Sequence, residues 1–419
     1  MQVLFIVRQA RSPMKPPYNI VCLSSQRWDD GMWTNKQHVM SRLAQRHRVV
    51  HVNHGLNPLP TYLYRHLKDA PADLLSPSRL LTQGVRQREE GLFIGDGFAP
   101  FFTGLFSHGS NFRDYWTFQF KVNQVRRYLQ AESIDDKIAW VYHPGFGDAV
   151  DAIDADMLVY DCVDNYAEFP HLADDPAWLI ERERRLCKKA DVVFTTASNL
   201  QERLEPYNPE HTHLVHNVGD APHFKRALDP DMPVADELAE LDGPVIGFVG
   251  AVSDYKLNQE WILALARQRP DWQIVLIGPT GIGESGTDVG ELQRQSNVHL
   301  LGHRDYEDLP RYLKGFDVAT IPYRINEYTR SCFPIKFFEY MASGTPVVIS
   351  ALPALEEHYD LAHVAHDTDG FVEACENALE QGGDGREERL ERAEANSWET
   401  KIDEMMSIVE ARMEELGLD

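Results

Sequence analysis

The sequence predicts an α/β protein made of two doubly wound, parallel-sheet domains with a cleft between them. Three observations indicate this fold class. Short apolar runs alternate with helical stretches along most of the chain, which is typical of parallel sheets covered by helices. A proline-bearing, acidic segment at 221–243 separates two series of such runs. A length of 419 residues is sufficient for two domains that each bury a core.

The first series begins with a strand–helix–strand unit. Asn19–Ser24 is the first apolar run, and a helical stretch at Thr34–Arg46 precedes a second run at Val49–Asn53. Thr34 and Gln37 have the spacing of a capping box, so we expect the helix to begin there. Ligands of such sheets bind at the loops that follow the strands, and this loop therefore belongs to the predicted cleft.

Strands and helices then alternate through both series. In the first series the sequence predicts strands at Ile138–Tyr142, Met157–Tyr160, Asp191–Thr196 and His213–His216, and helices at Asp175–Lys189 and Ser198–Leu204. In the second it predicts strands at Pro244–Gly250, Trp272–Ile277, Val298–Leu301, Val318–Ile321 and Val347–Ile349, a helix at Asn258–Arg269, and an acidic helical region from Arg386 onwards.

Composition and charge exclude several classes of protein. The chain is 43% hydrophobic and 25% charged, as expected for a globular protein, and it carries a net charge of -24. This charge argues against nucleic acid or an anionic membrane surface as the main partner. No stretch is long and apolar enough to span a membrane, and Arg8 interrupts the N-terminal apolar run too early for a signal peptide.

The five cysteines are scattered and contain no C-x-x-C pair. They are predicted to be reduced, mostly buried thiols of a cytosolic protein, and no His or Cys cluster has the spacing of metal ligands. The sequence therefore predicts neither a disulfide framework nor a metal site. The cysteines are Cys22, Cys162, Cys187, Cys332 and Cys375.

The most informative stretch runs from Ser331 to Ser350 and reads SCFPIKFFEYMASGTPVVIS. Pro334 suits the first turn of a helix, and Gly344 suits the left-handed position just after its end. The apolar run that begins at Val347 is typical of a buried parallel strand. The stretch therefore predicts a loop, a short helix, a glycine stop and a strand.

Lys336 and Glu339 share one face of this helix because they are three residues apart. A lysine in the first turn faces the positive end of the helix dipole, and a lysine before a glutamate is the less favourable order. A surface salt bridge would contribute little. A cleft in which Lys336 meets a phosphate and Glu339 accepts from sugar hydroxyls explains the order better than a solvated face does.

The stretch resembles the donor-site helix of GT-B glycosyltransferases, in the branch with the pattern P-x-K-x-x-E-Y-x-A-x-G-x-P-V. This branch includes teichuronic-acid-type and xanthan-type polysaccharide transferases. The resemblance implies that Glu339 holds the ribose of a nucleotide and that Lys336 meets the diphosphate. Many relatives carry a further glutamate at the position of Ser331, which leaves open whether Ser331 contacts the sugar.

The resemblance also implies the domain organisation. It assigns 1–220 to an N-terminal, Rossmann-like domain that binds the acceptor and 221–395 to a C-terminal, Rossmann-like domain that binds the donor. Residues 396–419 would form a helix that crosses back to the first domain. Asn217-Val218-Gly219-Asp220 resembles the turn that closes the first domain in this family, with valine and glycine exchanged.

The implied function is glycosyl transfer, of the hexosyltransferase class and without a metal or other cofactor. A nucleotide-diphosphate sugar, with UDP-sugars favoured, would donate to a glycan or polyprenyl-linked acceptor during polysaccharide or glycoconjugate biosynthesis. The implied location is the cytoplasm, and peripheral membrane contact through the N-terminal domain is left open.

Further donor contacts follow from loops that the resemblance places at the cleft. The loop from Gly250 brings Lys256 towards the diphosphate, although Val252 stands where relatives often have an arginine. Arg304 follows a strand in a loop that brackets the base in relatives, and Tyr323 follows another. A solvent-facing side chain is the alternative interpretation of Lys256.

Three residues are candidates for the group that accepts the proton of the acceptor hydroxyl. Asp161 and Asp164 come at the end of an apolar strand, where catalytic groups of such sheets collect, and His143 ends another strand. A helix cap or a structural hydrogen bond is the alternative role for each of them.

The segment between 55 and 135 is rich in aromatic residues. One interpretation is a core between helices, and the other is an apolar groove for a lipid-linked acceptor, whose phosphates would meet neighbouring basic side chains. The large apolar residues are Phe98, Phe101, Phe102, Leu105, Phe106, Trp116, Phe118 and Phe120, and the basic ones are Arg113, Lys121, Arg126 and Arg127.

Two other functions fit the same fold. A nucleotide-sugar epimerase or a phosphorylase would use the same donor site for a different reaction, and an epimerase would convert the donor without an acceptor. A catalytically degenerate sugar-nucleotide-binding protein is the second alternative, and it would rest on Ser331 and Val252, the two departures from the family pattern.

Overall fold

The computed structural model describes residues 14–29, 33–53, 84–96, 111–168, 176–281 and 286–418, with the side chains of 111–120 excepted. These residues form two β-sheets covered by helices. The predicted α/β class with two parallel-sheet domains is therefore confirmed.

The N-terminal sheet has eight strands. They are β1 (Asn19–Leu23), β2 (Arg48–Val52), β3 (Val85–Glu89), β4 (Leu92–Gly95), β5 (Lys137–Val141), β6 (Met157–Cys162), β7 (Val192–Thr195) and β8 (Thr212–Leu214). Their order is β3-β4-β2-β1-β5-β6-β7-β8, and all neighbours are parallel except the β3–β4 hairpin. Ile20 and Val21 are fully buried in separate clusters, so helices cover both faces of the sheet.

Four helices of this domain are described, namely α1 (Asn35–Ala44), α2 (Asn111–Ala131), α3 (Pro176–Lys189) and α4 (Ser198–Leu204). The predicted capping box of α1 is present, because Gln37 Oε1 accepts from Thr34 N–H at 3.1 Å. This cap fixes the start of α1 at the mouth of β1.

The C-terminal sheet has six strands, all parallel. They are β9 (Val245–Val249), β10 (Gln273–Ile277), β11 (Val298–Gly302), β12 (Val318–Ile321), β13 (Val347–Ser350) and β14 (His363–Ala365), in the order β11-β10-β9-β12-β13-β14. The helices are α5 (Ala221–Phe224), α6 (Asp236–Ala239), α7 (Gln259–Gln268), α8 (Gly290–Gln293), α9 (Leu309–Lys314), α10 (Glu327–Arg330), α11 (Lys336–Ala342), α12 (Thr368–Gln381) and α13 (Arg386–Ala395).

The predicted loop–helix–stop–strand unit is present around α11. The helix begins two residues after Pro334, so the proline precedes the first turn rather than lying in it. Gly344 has a φ of 76°, the left-handed conformation that ends a helix, and β13 begins three residues later at Val347.

The last helix, α14 (Trp398–Leu416), packs against the N-terminal sheet. Trp398 and Ile402 are buried in the same cluster as Ile20 of β1. The buried Lys401 ammonium donates to the carbonyl oxygens of Val215 at 3.0 Å and His216 at 2.8 Å, just after β8. The end of the chain is therefore part of the first core.

The aromatic segment lies mostly outside the described residues, which omit 97–110 and the side chains of 111–120. Of its basic residues, Lys121 is buried and donates to the Asn53 carbonyl oxygen at 3.2 Å. Lys121 is thus engaged within the domain, whereas Arg126 and Arg127 are exposed on α2. All five cysteines are buried, in agreement with the predicted burial, and each is a free thiol.

Candidate active site

A cavity of about 540 Å³ lies between the two sheets, where the loops after several strands meet. Loops that follow β1, β6, β9 and β10 all contribute to its wall, as expected for a ligand site of parallel sheets. Six of the predicted donor-site residues and two of the predicted catalytic residues line it, namely Gly250, Lys256, Arg304, Tyr323, Lys336, Glu339, His143 and Asp164.

Glu339 is a buried acidic group of this cavity. It is only 7% exposed, and its Oε1 has no hydrogen-bond partner among the described residues. Burial raises the pKa of Glu339 to about 8, Lys336 opposes this shift, and Asp220 adds to it. Because a buried carboxyl oxygen without a donor is costly, the site is suited to a ligand that brings hydroxyl donors.

Two lysines flank the buried ring of Tyr323. Lys336 Nζ donates to Tyr323 Oη at 2.7 Å, and Lys256 Nζ lies 4.9 Å from the centroid of the same ring. Lys336 Nζ also lies 5.0 Å from the Phe248 ring centroid. Since aromatic faces attract cations, Tyr323 helps to hold both ammonium groups at the cavity wall.

Gly250 leaves room for the Lys336 ammonium. A Cβ at this position would lie 2.5 Å from Lys336 Nζ and 2.9 Å from Phe248 Cζ, so any larger residue would displace the lysine. Val252, two residues later, is fully buried in the core. Lys256 is therefore the cation that this loop presents to the cavity.

Two predicted donor-site residues are engaged elsewhere. Ser331 is buried outside the cavity wall, and its Oγ accepts a hydrogen bond from Asn199 Nδ2 at 2.8 Å. Arg304 lines the cavity, but its guanidinium donates to Tyr312 Oη at 2.7 Å and to Glu237 Oε1 at 2.9 Å. These contacts tie Arg304 to the protein itself, and its role as a base or phosphate contact stays a prediction.

Asp164 faces the cavity from the N-terminal domain. Its Oδ1 accepts a hydrogen bond from Tyr328 Oη at 3.2 Å, which joins the two domains across the cleft. Burial raises the pKa of Asp164, while Lys36, Lys256 and the Tyr328 hydrogen bond oppose the shift. A carboxylate that is harder to ionise than usual is a stronger base, which suits proton transfer.

His143 also lines the cavity but with one nitrogen already engaged. Its Nδ1 accepts from Gly145 N–H at 3.1 Å, so the proton of the neutral ring lies on Nε2. The role of His143 as a proton acceptor stays a prediction.

Asp161 does not reach the cavity. β6 continues through Cys162, so Asp161 lies within the strand, where its side chain is fully buried. Trp140 Nε1 donates to Asp161 Oδ2 at 3.3 Å. Of the two candidate aspartates, Asp164 therefore lies at the cavity and Asp161 lies in the core.

Comparison with known proteins agrees with this geometry. Residues 243–381 match the family described as "Glycosyl transferases group 1". Over 286 residues the chain is 27% identical to TuaH of Bacillus subtilis (strain 168), which is named as a teichuronic acid biosynthesis glycosyltransferase; the match covers 64% of this chain and 70% of TuaH. The protein is a glycosyltransferase.

Solved structures identify the fold of this glycosyltransferase as GT-B. Sucrose-phosphate synthase from Thermosynechococcus elongatus aligns with a TM-score of 0.68 at 16% identity, covering 94% of this chain and 98% of that one. Anabaena Alr3699/HepE, solved in complex with UDP and glucose, aligns with a TM-score of 0.63 at 15% identity, covering 94% and 100%. The predicted GT-B fold is confirmed.

The sequence did not single out Lys36, which lines the cavity of the glycosyltransferase from α1. It is 5% exposed, and its Nζ lies 5.9 Å from the ring centroids of both Tyr142 and Tyr166. On a helix near a capping box, a lysine is most simply interpreted as a surface residue. Only the packing of α1 against β2 and the terminal helix α14 brings Lys36 inside the cleft.

Two structural findings bear on metals and membranes. Within the described ranges, no three His, Cys, Asp or Glu side chains cluster as metal ligands. Metal independence of the glycosyltransferase stays a prediction.

None of the helices described above combines the length and hydrophobicity that a membrane crossing requires.

Proposed function

We propose that the protein transfers a sugar from a nucleoside-diphosphate sugar to a hydroxyl of an acceptor bound on the N-terminal side of the cleft. The observation that carries this proposal is Glu339, a buried carboxyl group with an unsatisfied oxygen, next to Lys336 at the cavity wall. Ribose hydroxyls would donate to Glu339, and the diphosphate would lie against Lys336 and Lys256.

The cations of the cavity suit a departing diphosphate. Lys256 and Lys336 line the cavity of a chain whose net charge is -24, so the positive charge is local. Negative charge develops on the nucleoside diphosphate as the glycosidic bond breaks, and fixed cations in a water-poor site stabilise it. Contacts across the cleft, such as Tyr328 to Asp164, would exclude water and limit hydrolysis of the donor.

UDP-sugars are the favoured donors in this proposal. Two structural neighbours support the choice, since Anabaena Alr3699/HepE was solved with UDP and glucose and an E. coli neighbour with UDP-2-fluoro glucose. The name of TuaH supports polymer synthesis, and hence a glycan or lipid-linked acceptor. Asp164 is the proposed proton acceptor for the attacking hydroxyl.

Release of nucleotide from a donor panel tests this function. The wild-type protein is incubated with UDP-glucose, UDP-galactose, GDP-mannose and ADP-glucose, and the liberated diphosphate is measured by a coupled assay. We expect slow release from a UDP-sugar, because water can replace the acceptor, and its loss in Lys336→Gln. Lys188→Gln, an exposed change on α3, serves as the matched control.

Two outcomes would reject the proposal. One is conversion of a donor to another sugar without release of diphosphate, which is the behaviour of an epimerase. The other is release that is no faster than in buffer for every donor.

A further inference from the structure

Lys36 is a cation of the cavity that the proposed donor site does not use. It is 95% buried, since its exposure is 5%, and it lines the cavity from α1 of the N-terminal domain. Among the described residues, no hydrogen bond or ion pair holds its ammonium group, and its close neighbours are the faces of Tyr142 and Tyr166. Contacts with ring faces offset only part of the free-energy cost of burying an ammonium group. Lys36 is therefore suited to binding an anion.

The two nearby carboxylates, Asp161 and Asp164, face other lysines as well as Lys36. Asp161 accepts from Trp140 and is influenced most strongly, among charged groups, by Lys401. Asp164 accepts from Tyr328 and faces Lys256 as well as Lys36. Lys36, Lys256 and Lys401 therefore face these two carboxylates in this part of the molecule, so the group carries one positive charge in excess, and no ion pair among the described residues holds the ammonium of Lys36.

Lys36 lies on the acceptor side of the cleft. Lys256 and Lys336 gather around Tyr323 of the C-terminal domain, whereas Lys36 adjoins Tyr166 of the N-terminal domain. His143, Phe146 and Trp178 line the same part of the cavity and provide flat surfaces on which a sugar ring can pack. Lys36 is thus placed beside the acceptor rather than beside the donor diphosphate.

We propose that Lys36 binds an anionic group, a carboxylate or a phosphate, carried by the acceptor sugar. This inference rests on the proposed function, because it assigns the acceptor to the N-terminal side of the cleft. It narrows the acceptor class from glycans in general to acidic or phosphorylated ones. The lysine ammonium group acts as a point charge and can pair with a carboxylate or with a phosphate. Either anion on the acceptor therefore satisfies the proposal.

Titration with small anions tests the proposal. Dissociation constants for inorganic phosphate, glucuronate and neutral glucose are measured by thermal shift, with and without saturating UDP. We expect at least one anion to bind about tenfold or more tightly than glucose and to keep this preference with UDP bound, since one charge-assisted hydrogen bond supplies that factor. The anion that binds more tightly, phosphate or glucuronate, identifies the group.

Variants separate this role from the alternatives. Lys36→Gln should remove the preference for the anion while UDP affinity changes less than about twofold, and Lys36→Arg should retain the preference because it retains the charge. Lys188→Gln, which removes an exposed lysine of the same domain, should change nothing.

The proposal is overturned if the wild type shows no anion preference, or if Lys36→Gln leaves the preference intact. It is also overturned if Lys36→Gln weakens UDP as strongly as Lys336→Gln does, because Lys36 would then serve the donor. Failure of UDP to bind the wild type would reject the donor proposal instead, and anion binding without UDP would still test Lys36.

Discussion

At the scale of the residue, the site places two carboxyl groups with raised pKa values, Glu339 and Asp164, near several lysines. Glu339 is buried without a donor to its Oε1, and Lys336 is held by the hydroxyl of Tyr323. Burying a carboxyl group lowers stability in the free protein, and a ligand that donates hydroxyls would offset this cost. Functional sites often contain such unsatisfied groups, because the ligand completes them.

Nucleotide affinity should depend on pH through Glu339. Its pKa of about 8 in the free protein means that the carboxyl group is mostly protonated at neutral pH, whereas ribose hydroxyls donate best to the ionised form. We therefore predict that UDP affinity rises with pH by up to about tenfold per unit below pH 8 and levels off above it. Calorimetry between pH 7 and pH 8.5, where the phosphates of UDP are already ionised, measures this dependence.

Glu339→Gln is the control for this pH dependence. The amide has a similar shape and does not titrate, so its affinity for UDP should be lower and nearly constant over the same interval. An identical pH dependence in wild type and Glu339→Gln would show that another group is responsible.

At the scale of the element, local signals in the sequence predict most strands and helices but not every residue of the site. The capping box at Thr34 and the stop at Gly344 are confirmed because they depend on neighbours within a few residues. The β3 strand reads Val-Arg-Gln-Arg-Glu and has no apolar run, so only pairing with β4 and burial of Arg86 beside Asp96 make it a strand.

Residues that depend on tertiary packing escaped prediction or were placed differently. Lys36 enters the cavity only through the packing of α1, and Asp161 leaves it because β6 extends two residues beyond the predicted strand. Arg304 lies at the cavity, as predicted, but its guanidinium donates hydrogen bonds to Tyr312 and Glu237. Motif spacing identifies where a residue lies along the chain, whereas the direction of its side chain depends on contacts distant in sequence.

The loop after β8 sets the position of α11. A Cβ at Gly219 would lie 2.8 Å from the backbone nitrogen of Glu339 and 2.8 Å from Phe338 Cβ, both of which are rigid. We predict that Gly219→Ala lowers the free energy of unfolding by about 1–3 kcal/mol, as overpacking does. It should also weaken UDP binding, because it moves the backbone that carries Glu339.

Chemical denaturation and calorimetry on the same samples measure both effects. Gly383→Ala is the control, because a Cβ there meets only Arg386 Nη2 at an ordinary 3.7 Å. Unchanged stability and unchanged UDP affinity in Gly219→Ala would contradict the proposed packing.

At the scale of the whole molecule, the two sheets are joined by the terminal helix and by polar contacts across the cleft. α14 follows the second domain but is buried in the core of the first. Asn217 accepts from Asn35 at 2.6 Å and donates to the Phe333 carbonyl oxygen at 3.0 Å, so one side chain links the N-terminal domain to the loop before α11. The two halves of the cavity are therefore positioned by shared elements.

Removing the anchor of α14 should destabilise the protein. Trp398 is fully buried and stacks on His38 with ring centroids 4.8 Å apart. We predict that Trp398→Ala lowers the free energy of unfolding by about 3–5 kcal/mol, the usual cost of deleting a buried aromatic side chain. Urea denaturation followed by circular dichroism measures the change.

Glu414→Ala, on the exposed face of the same helix, should change the free energy of unfolding by less than about 0.5 kcal/mol. If Trp398→Ala and Glu414→Ala lowered the free energy of unfolding equally, α14 would stabilise the protein through its length and not through burial of Trp398.

The most direct test of the donor site is calorimetric titration of UDP, GDP and ADP into the wild type, Glu339→Ala and Glu356→Ala. Glu356 is an exposed glutamate of the same domain and serves as the matched control. We predict that UDP binds the wild type and Glu356→Ala equally, and that Glu339→Ala weakens it by about tenfold to a hundredfold, the value of a lost charge-assisted hydrogen bond. Equal UDP affinity in all three proteins, or no binding of any diphosphate to the wild type, would contradict the donor site built on Glu339 and Lys336.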